Sequence, residues 1–135
     1  MHIDDGKLLE VRLYDKLSEL FQEIYMENEL RNTYGWHASG VDHLIVINDM
    51  LIPIQTKYRA SRRHENAGIN NFLKSVKYIS EKMNKEIWFG LWVSRIAPFT
   101  DNQDLMKTHK IECVNHYDGI DNLVDLTVKF IQSNI

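Results

Sequence analysis

The stretch that most restricts the fold is GVDHLIVINDMLIPIQTKYR, residues 40–59, in which an Asn-Asp pair separates two mainly aliphatic runs. Such runs around two turn residues are typical of a β-hairpin, and they predict strands at 42–48 and 51–58. Pro53 is the exception, because proline lacks a backbone donor and favours an edge strand or the start of a strand. Strands bury polar side chains only for a reason, so the few polar residues here are candidates for a site.

The rest of the chain adds three predicted helices and two predicted strands. Apolar residues recur at helical spacing over residues 7–31 and 64–84, and a similar pattern predicts a closing helix at 120–133. The continuous apolar run EIWFGLWVS, residues 86–94, predicts a strand covered on both faces, and 110–115 predicts a shorter one. The order helix, strand, strand, helix, strand, strand, helix indicates an α/β fold with a mixed β-sheet flanked by helices.

Length and composition indicate one globular domain, 1–135, with an ordinary core. The 135 residues are 44% hydrophobic and 26% charged, and no apolar run reaches the roughly 18 residues that cross a membrane. The N-terminus has no hydrophobic segment of the signal-peptide type, and the single cysteine, Cys113, fits a reducing compartment. We therefore expect an intracellular protein, cytoplasmic or nuclear, that is neither secreted nor bound to a membrane.

Charge is distributed unevenly along a chain whose net charge is −3. Residues 57–85 hold eight Lys or Arg against two acids, whereas residues 1–31 hold eight acids against four bases. A local basic segment in an acidic chain can bind a polyanion at one face. The alternative is a solvated helix face with surplus lysines.

Three polar residues of the hairpin are expected to converge at one end of it. Gln55 and Lys57 lie two apart, so they share a face of their strand, and Asp42 opens the preceding strand beside residues 56–57. Glu27 falls on the apolar stripe of the first predicted helix, near its last turn. An acid there needs a partner or a metal ion, unless the helix end frays and exposes it to water.

Two acids with a lysine nearby are suited to one kind of chemistry. Carboxylate oxygens are the ligands that Mg²⁺ prefers, and the ion usually keeps several waters beside one or two carboxylates. The metal polarises a phosphate, and a lysine orients the attacking water or stabilises the developing charge. The pattern therefore favours phosphodiester hydrolysis.

The motifs themselves resemble those of a known superfamily. "GVD" carries Asp42, "QTK" carries Gln55 and Lys57 after twelve intervening residues, "KYR" follows, and Glu27 stands on the preceding helix. This pattern resembles the PD-(D/E)xK nuclease superfamily, which has the restriction-endonuclease-like fold with core order helix, strand, strand, strand, helix, strand. The resemblance spans roughly residues 8–94. Gln55 replaces the usual acid, as in similar Holliday-junction resolvase-like and viral nucleases.

The resemblance implies a metal-dependent nuclease that hydrolyses DNA, structure-specifically if it follows the resolvase-like members. The implied cofactor is Mg²⁺, for which Mn²⁺ can substitute, and the implied partner is duplex or branched DNA. A core of this size seldom forms a cleft that encloses a substrate by itself, so we expect a homodimer. Catalytic roles are implied for Glu27, Asp42, Gln55 and Lys57, and metal ligation for Asp42, Gln55 and the Thr56 carbonyl. Glutamine still offers an amide oxygen, but it removes one negative charge and so weakens the metal site.

Basic residues after the motif are predicted to bind nucleic acid. Arginine forks match phosphate oxygens, and such contacts position a substrate without reading its sequence. The predicted phosphate-binding residues are Arg59, Arg62, Arg63, Lys74 and Lys77.

Two other interpretations remain open. One is a catalytically inactive module of the same fold that binds nucleic acid or a protein, and the other is an unrelated α/β interaction protein whose polar cluster is structural. Cys113 and His116 form only half of a zinc pattern, so no zinc site is expected. Trp88 and Trp92 are predicted to share one face of their strand and to belong to the core.

Overall fold

A six-stranded mixed β-sheet with helices on both faces forms the framework of the computed structural model, which describes residues 4–135. The α/β class predicted from the sequence is confirmed. The elements are α1 (Asp5–Leu20), β1 (Ile24–Met26), α2 (Glu27–Tyr34), a short 3-10 turn (Trp36–Ala38), β2 (His43–Ile47), β3 (Met50–Lys57), α3 (Asn66–Met83), β4 (Glu86–Ile87), β5 (Gly90–Ser94), α4 (Thr100–Lys107), β6 (Ile111–Asn115) and α5 (Ile120–Asn134).

The strands lie in the order β1-β2-β3-β5-β6, with β4 also paired to β3. β2 is antiparallel to both of its neighbours, β1 and β3, whereas β3, β5 and β6 are parallel, so the carboxyl ends of those three strands meet at one edge of the sheet. We call this the carboxyl edge. Among residues 4–135, no helix is both long and apolar enough to cross a membrane.

The predicted hairpin is confirmed. β2 and β3 pair with His43 opposite Ile54 and Ile47 opposite Met50, which leaves a two-residue turn. Asn48 takes the left-handed conformation at φ 54°, which asparagine tolerates better than most residues. The helix predicted at 64–84 and the closing helix predicted at 120–133 are also found, as α3 and α5.

The prediction of one helix over residues 7–31 is wrong. α1 ends at Leu20, and Ile24–Met26 pairs with β2 instead, before α2 begins at Glu27. Edge pairing gives the backbone groups of this β-branched and aromatic segment partners, and it overrides the weak helix preference. Two shorter elements, β1 and α2, thus replace the second half of the predicted helix.

Each face of the sheet carries its own apolar cluster. The first face is covered by α1 and α5 through Leu9, Leu13, Leu17, Leu123, Val124 and Ile131. The second is covered mainly by α3, with α2 and α4 contributing, through Leu30, Ile69, Phe72, Val76, Ile79 and Met106. We call them the α1–α5 face and the α3 face.

Pro53 lies inside the central strand, not at an edge. Its missing backbone donor falls on the side of β3 where the partner strand is interrupted, between β4 and β5. Trp88 and Phe89, in that interruption, both pack on the α1–α5 face, so the alternation of side chains is broken there. Trp92 then lies on the α3 face. Both tryptophans pack against the core as predicted, but the prediction that they share a face is wrong.

Candidate functional site

Asp42 is held at the end of the hairpin by the strand beside it. Its backbone N–H donates to the Ile54 carbonyl at 3.0 Å. One carboxylate oxygen, Oδ2, accepts from the Thr56 backbone N–H at 2.9 Å and from Thr56 Oγ1 at 2.9 Å. Extending the ladder places Asp42 opposite Gln55, one residue short of the predicted position. The carboxylate is therefore fixed at the carboxyl edge with its other oxygen available.

The backbone of β3 places a second oxygen at the same position. Peptide groups of a strand alternate between its two neighbours, and the Thr56 N–H faces Asp42. The Thr56 carbonyl points to the same side of β3 as its N–H, past His43, the first residue of β2. The next carbonyl, that of Lys57, faces the other way and accepts from Arg95 N–H at 3.2 Å.

Gln55 carries an unsatisfied polar atom. Its side chain is 9% exposed, and its Oε1 is buried without a hydrogen-bond partner among residues 4–135. An unpaired buried acceptor costs on the order of 1–3 kcal/mol, so a sequence retains one only when something compensates for the cost. The amide oxygen is free to accept from a ligand or to coordinate a cation.

Lys57 lies on the α3 face, where the stem of its side chain passes the start of α3. A Cβ atom on Gly68 would lie 3.8 Å from Lys57 Cε and 3.6 Å from Glu65 Oε2, so glycine leaves room for both side chains. Lys57 lines a small cavity of about 20 Å³ together with Arg59, Glu65, Trp92 and Ser94, which is enough for one water molecule.

Arg59 is held by a buried acid. Its Nε and Nη2 donate to Glu65 at 2.7 Å and 3.3 Å, and the Glu65 side chain is 9% exposed. The pair carries no net charge, so Arg59 presents less positive charge to a phosphate than the sequence suggested. Its planar fork is instead fixed beside Lys57.

The other predicted cations fall into two groups. Arg62 and Arg63 line the Lys57 cavity, and the Arg62 guanidinium lies 5.5 Å from the centre of the Phe99 ring. Lys74 and Lys77 line a separate groove on α3, which includes Ile87 of β4 and so opens toward the opposite edge of the sheet. The structure therefore brings Arg62 and Arg63 together with Lys57 and leaves Lys74 and Lys77 apart from it.

Glu27 reaches the carboxyl edge by a route that the sequence did not predict. Met26 pairs with His43, so Glu27, the next residue, stands across from Asp42 at the end of β1. As the first residue of α2, it bonds to Arg31 at 3.0 Å, and its side chain is 29% exposed. The position of Glu27 is therefore set by the end of β1, next to the start of β2, and not by the end of a long helix.

Glu10 of α1 is an acid that the sequence analysis missed. Its pKa is raised by burial and then by the negative charge of Asp42, while its 3.5 Å contact with Lys7 lowers the pKa in part. The Glu10 carbonyl bonds to Nε2 of His43, which is fully buried and whose pKa is lowered mainly by that burial. Glu10 precedes Leu13 by three residues, and that spacing was the available signal for an acid on the buried face.

The protein can supply only a few of the ligands that a cation would need at this position. No group of three or more His, Cys, Asp and Glu side chains suited to a metal lies within residues 4–135. Asp42, the Thr56 carbonyl and the unpaired Gln55 Oε1 are nevertheless all oxygen donors near the end of one hairpin. Mg²⁺ accepts one or two carboxylates with water and substrate oxygens in the remaining positions, so the donor set is compatible with it.

Cys113 has no metal-binding surroundings in the described residues. It lies on β6, and burial raises the pKa of its thiol to about 11. Nδ1 of His116 already accepts the backbone N–H of Asp118 at 3.1 Å.

Comparisons with known proteins provide no name for this arrangement. No protein-family model, curated protein or solved structure matched the chain. Function must therefore be argued from the site itself.

Proposed function

We propose that this protein is a Mg²⁺-dependent nuclease of the restriction-endonuclease-like fold that hydrolyses DNA phosphodiester bonds. The observation that carries the proposal is the Asp42 carboxylate, which Thr56 fixes at the end of a hairpin whose strand β3 also carries Gln55 and Lys57. A homodimer, with branched DNA as a substrate, stays a prediction.

The order of elements supports the proposed fold. α1, β1, β2, β3, α3 and β5 follow the order helix, strand, strand, strand, helix, strand, with α2 added after β1 and the two-residue β4 before β5. The strand absent from the sequence-based prediction, β1, is the one that completes this order. β3, which carries Gln55 and Lys57, is central in the sheet, so both residues stand on a rigid element.

The charges at the carboxyl edge support a phosphate ligand. Arg62 and Arg63 line the same cavity as Lys57 and lack carboxylate partners among residues 4–135. Arginine and lysine side chains attract the phosphate backbone whatever its sequence. The chain therefore combines an acidic overall composition with a cationic edge next to the proposed site.

Each residue has a defined task in the proposed reaction. Asp42, the Thr56 carbonyl and Gln55 would hold the metal ion, which when bound supplies Lewis acidity at the phosphate and at the attacking water. Lys57 places an ammonium where it can orient the water or stabilise charge developing on the phosphate oxygens. The Asp42 carboxylate keeps its position because two Thr56 donors fix one of its oxygens.

Cleavage assays test the proposal. Wild type, Lys57→Ala and Asp42→Asn are incubated with labelled linear, nicked and branched DNA in Mg²⁺, in Mn²⁺ and in EDTA. We expect metal-dependent cleavage by wild type, and a reduction of about a hundredfold or more in both variants, because each loses a group that acts on the transition state. Lys107→Ala, which removes an exposed lysine of α4, is the matched control and is expected to keep wild-type activity. Equal rates for wild type and Lys57→Ala would contradict the proposal.

One observation favours the inactive module of the same fold as a second candidate. Gln55 leaves the site with fewer carboxylates, and the described residues contain no three-acid cluster. Calorimetry separates the two candidates, since the nuclease requires Mg²⁺ or Mn²⁺ binding that is lost in Asp42→Asn. DNA binding with neither cleavage nor Asp42-dependent metal binding would favour the module.

A further inference from the structure

Arg95 lies close to two tyrosine rings at the carboxyl edge. Its guanidinium carbon is 4.3 Å from the centre of the Tyr117 ring and 5.5 Å from that of the Tyr58 ring. Nε of Arg95 makes a long contact of 3.5 Å with the Tyr117 carbonyl. Contacts of this kind attract a guanidinium to the ring faces, and no side-chain hydrogen bond of the described residues uses the terminal N–H groups of Arg95.

This arrangement adjoins the proposed nuclease site. The Arg95 backbone N–H donates to the Lys57 carbonyl at 3.2 Å, so the two residues stand side by side on neighbouring strands. Tyr58 follows Lys57 directly and packs on the α1–α5 face, two residues after Thr56. The carboxyl edge therefore carries a row of neighbouring residues, which are Asp42, Thr56, Tyr58, Arg95 and Tyr117.

The pairing of the arginines distinguishes Arg95 from a general surface cation. Arg12, Arg31 and Arg59 each bond to an acid. Among residues 4–135, the arginines without a carboxylate partner are Arg62, Arg63 and Arg95. All three follow the carboxyl ends of β3 or β5. The arginine charge that no carboxylate of the described residues neutralises is thus concentrated around the proposed site.

Tyr117 adds an exposed aromatic surface to that charge. Its side chain is 62% exposed although one face of the ring lies against Arg95. A ring fixed in this way offers its free face to a planar ligand at little cost in conformational entropy. Nucleobases stack on such rings only when they are not already stacked in a duplex, so an unpaired base fits this surface better than a base pair.

We propose that Arg95 and Tyr117 bind one nucleotide of a single-stranded DNA segment, with the phosphate on the Arg95 guanidinium and the base on Tyr117. This inference rests on the proposed nuclease function and adds its substrate class, which is DNA with an unpaired strand next to the cleavage site. Tyr58, the more distant of the two rings, helps to position the guanidinium and has no role in binding the ligand.

Binding without cleavage tests the inference. Fluorescence anisotropy in EDTA measures the affinity of the full chain for a labelled oligothymidine of about 16 nucleotides and for a matched duplex. We expect Tyr117→Ala to bind the single strand about tenfold more weakly than wild type and the duplex almost equally well, because one stacked base is lost. Tyr117→Phe keeps the ring and is expected to bind within about twofold of wild type.

The salt dependence of binding tests the role of Arg95. Loss of one phosphate contact lowers the slope of log K against log salt by about 0.7 for a single strand. We expect this change, with about tenfold weaker binding, in Arg95→Ala. Arg95→Lys keeps the charge, so its slope is expected to match that of wild type. Arg95→Gln removes the charge and keeps a long side chain, so it is the second variant if Arg95→Ala fails to fold, and its slope is expected to fall by the same amount.

Two controls match the variants by chemistry. Trp36→Ala removes an aromatic side chain that is 73% exposed and lies beside Arg31, and Lys107→Ala removes a cation from α4. The inference is overturned if Tyr117→Ala binds the single strand as Trp36→Ala does, if the duplex affinity falls equally, or if the slope in Arg95→Ala is unchanged. Because the assay contains no divalent metal, a protein that binds but does not cleave leaves this inference standing and refutes only the nuclease.

Discussion

At the scale of single residues, Gln55 is the position where stability and the proposed function conflict most directly. Its amide oxygen is buried and unpaired within the described part of the chain. No donor among residues 4–135 compensates for the burial of that atom. A glutamine at this position is consistent with a weak cation ligand, and it has no structural role in the bonds that fix Asp42.

Replacing Gln55 by Met therefore has opposite effects on stability and on metal binding. Met is close in shape and needs no hydrogen bond, so we expect the free energy of unfolding to rise by about 1 kcal/mol. Mg²⁺ affinity, measured by calorimetry, is expected to fall. Urea denaturation measures the stability change, and exposed Gln22→Met is the control, expected to stay within about 0.5 kcal/mol of wild type. A destabilised Gln55→Met protein would show that the amide is bonded after all.

The sequence revealed those candidate site residues whose positions depend on local properties of the chain. The position of the turn was sufficient to place Asp42 beside the end of β3, because turn length sets the register of a hairpin and is a local property. Glu10 was missed because its relation to Asp42 depends on how α1 packs across the sheet. Arg95 was missed for a similar reason, since its two aromatic neighbours come from separate strand ends.

At the scale of elements, the loop before β2 matters most because it ends at Asp42. Ser75 of α3 fastens this loop, since its Oγ accepts from Gly40 N–H at 3.0 Å and donates to the His37 carbonyl at 2.8 Å. A Cβ atom on Gly40 would lie 2.6 Å from Ser75 Oγ and 2.7 Å from the Asn71 carbonyl. Only glycine permits this approach, so the position of Asp42 depends on α3.

Gly40→Ala is expected to destabilise the protein by about 1–3 kcal/mol, the usual cost of overpacking. The loop must move away from α3, and Asp42 moves with it, so Mg²⁺ affinity is expected to fall as well. Thermal denaturation and calorimetry measure the two effects. Gly6→Ala in α1 is the control: alanine favours the helix, its Cβ would lie 3.3 Å from Asp4 Oδ1 at the end of an exposed side chain, and we expect a change within about 0.5 kcal/mol. Wild-type stability in Gly40→Ala would show that the loop is not fastened to α3.

The elements that the sequence did not reveal are those whose formation depends on a neighbour. β1 has only three residues and exists because the edge of β2 offers its backbone partners. α4 has little apolar periodicity, and what it buries is mainly Asn102 and Met106. Its available signals were Asp101 in the first turn and Lys107 in the last.

At the scale of the whole molecule, one sheet separates two apolar clusters that depend on each other. β3 contributes Ile52 and Ile54 to the α1–α5 face and Leu51 to the α3 face, so neither cluster persists without that strand. The predicted single domain therefore implies a single cooperative unfolding transition.

Two spectroscopic probes test this cooperativity. Trp88 reports on the α1–α5 face and Trp92 on the α3 face, and Trp36→Phe removes the exposed tryptophan that would dilute both signals. In that background, we expect the urea midpoints from tryptophan fluorescence and from far-ultraviolet circular dichroism to coincide. Midpoints that differ would indicate that one face unfolds before the other.

The proline inside the central strand has a consequence for the chemistry at the other end of the sheet. Before the interruption opposite Pro53, the odd-numbered Ile87 packs on the α3 face, whereas after it Leu91 and Val93 pack on the α1–α5 face. Arg95 continues the alternation of side chains set by Leu91 and Val93, so it lies on the same face as Tyr58. A chain with unbroken pairing there would carry the same arginine on the wrong side, away from both tyrosines. Pro53, which lacks an amide hydrogen, thus helps to determine the face of the sheet on which Arg95 lies.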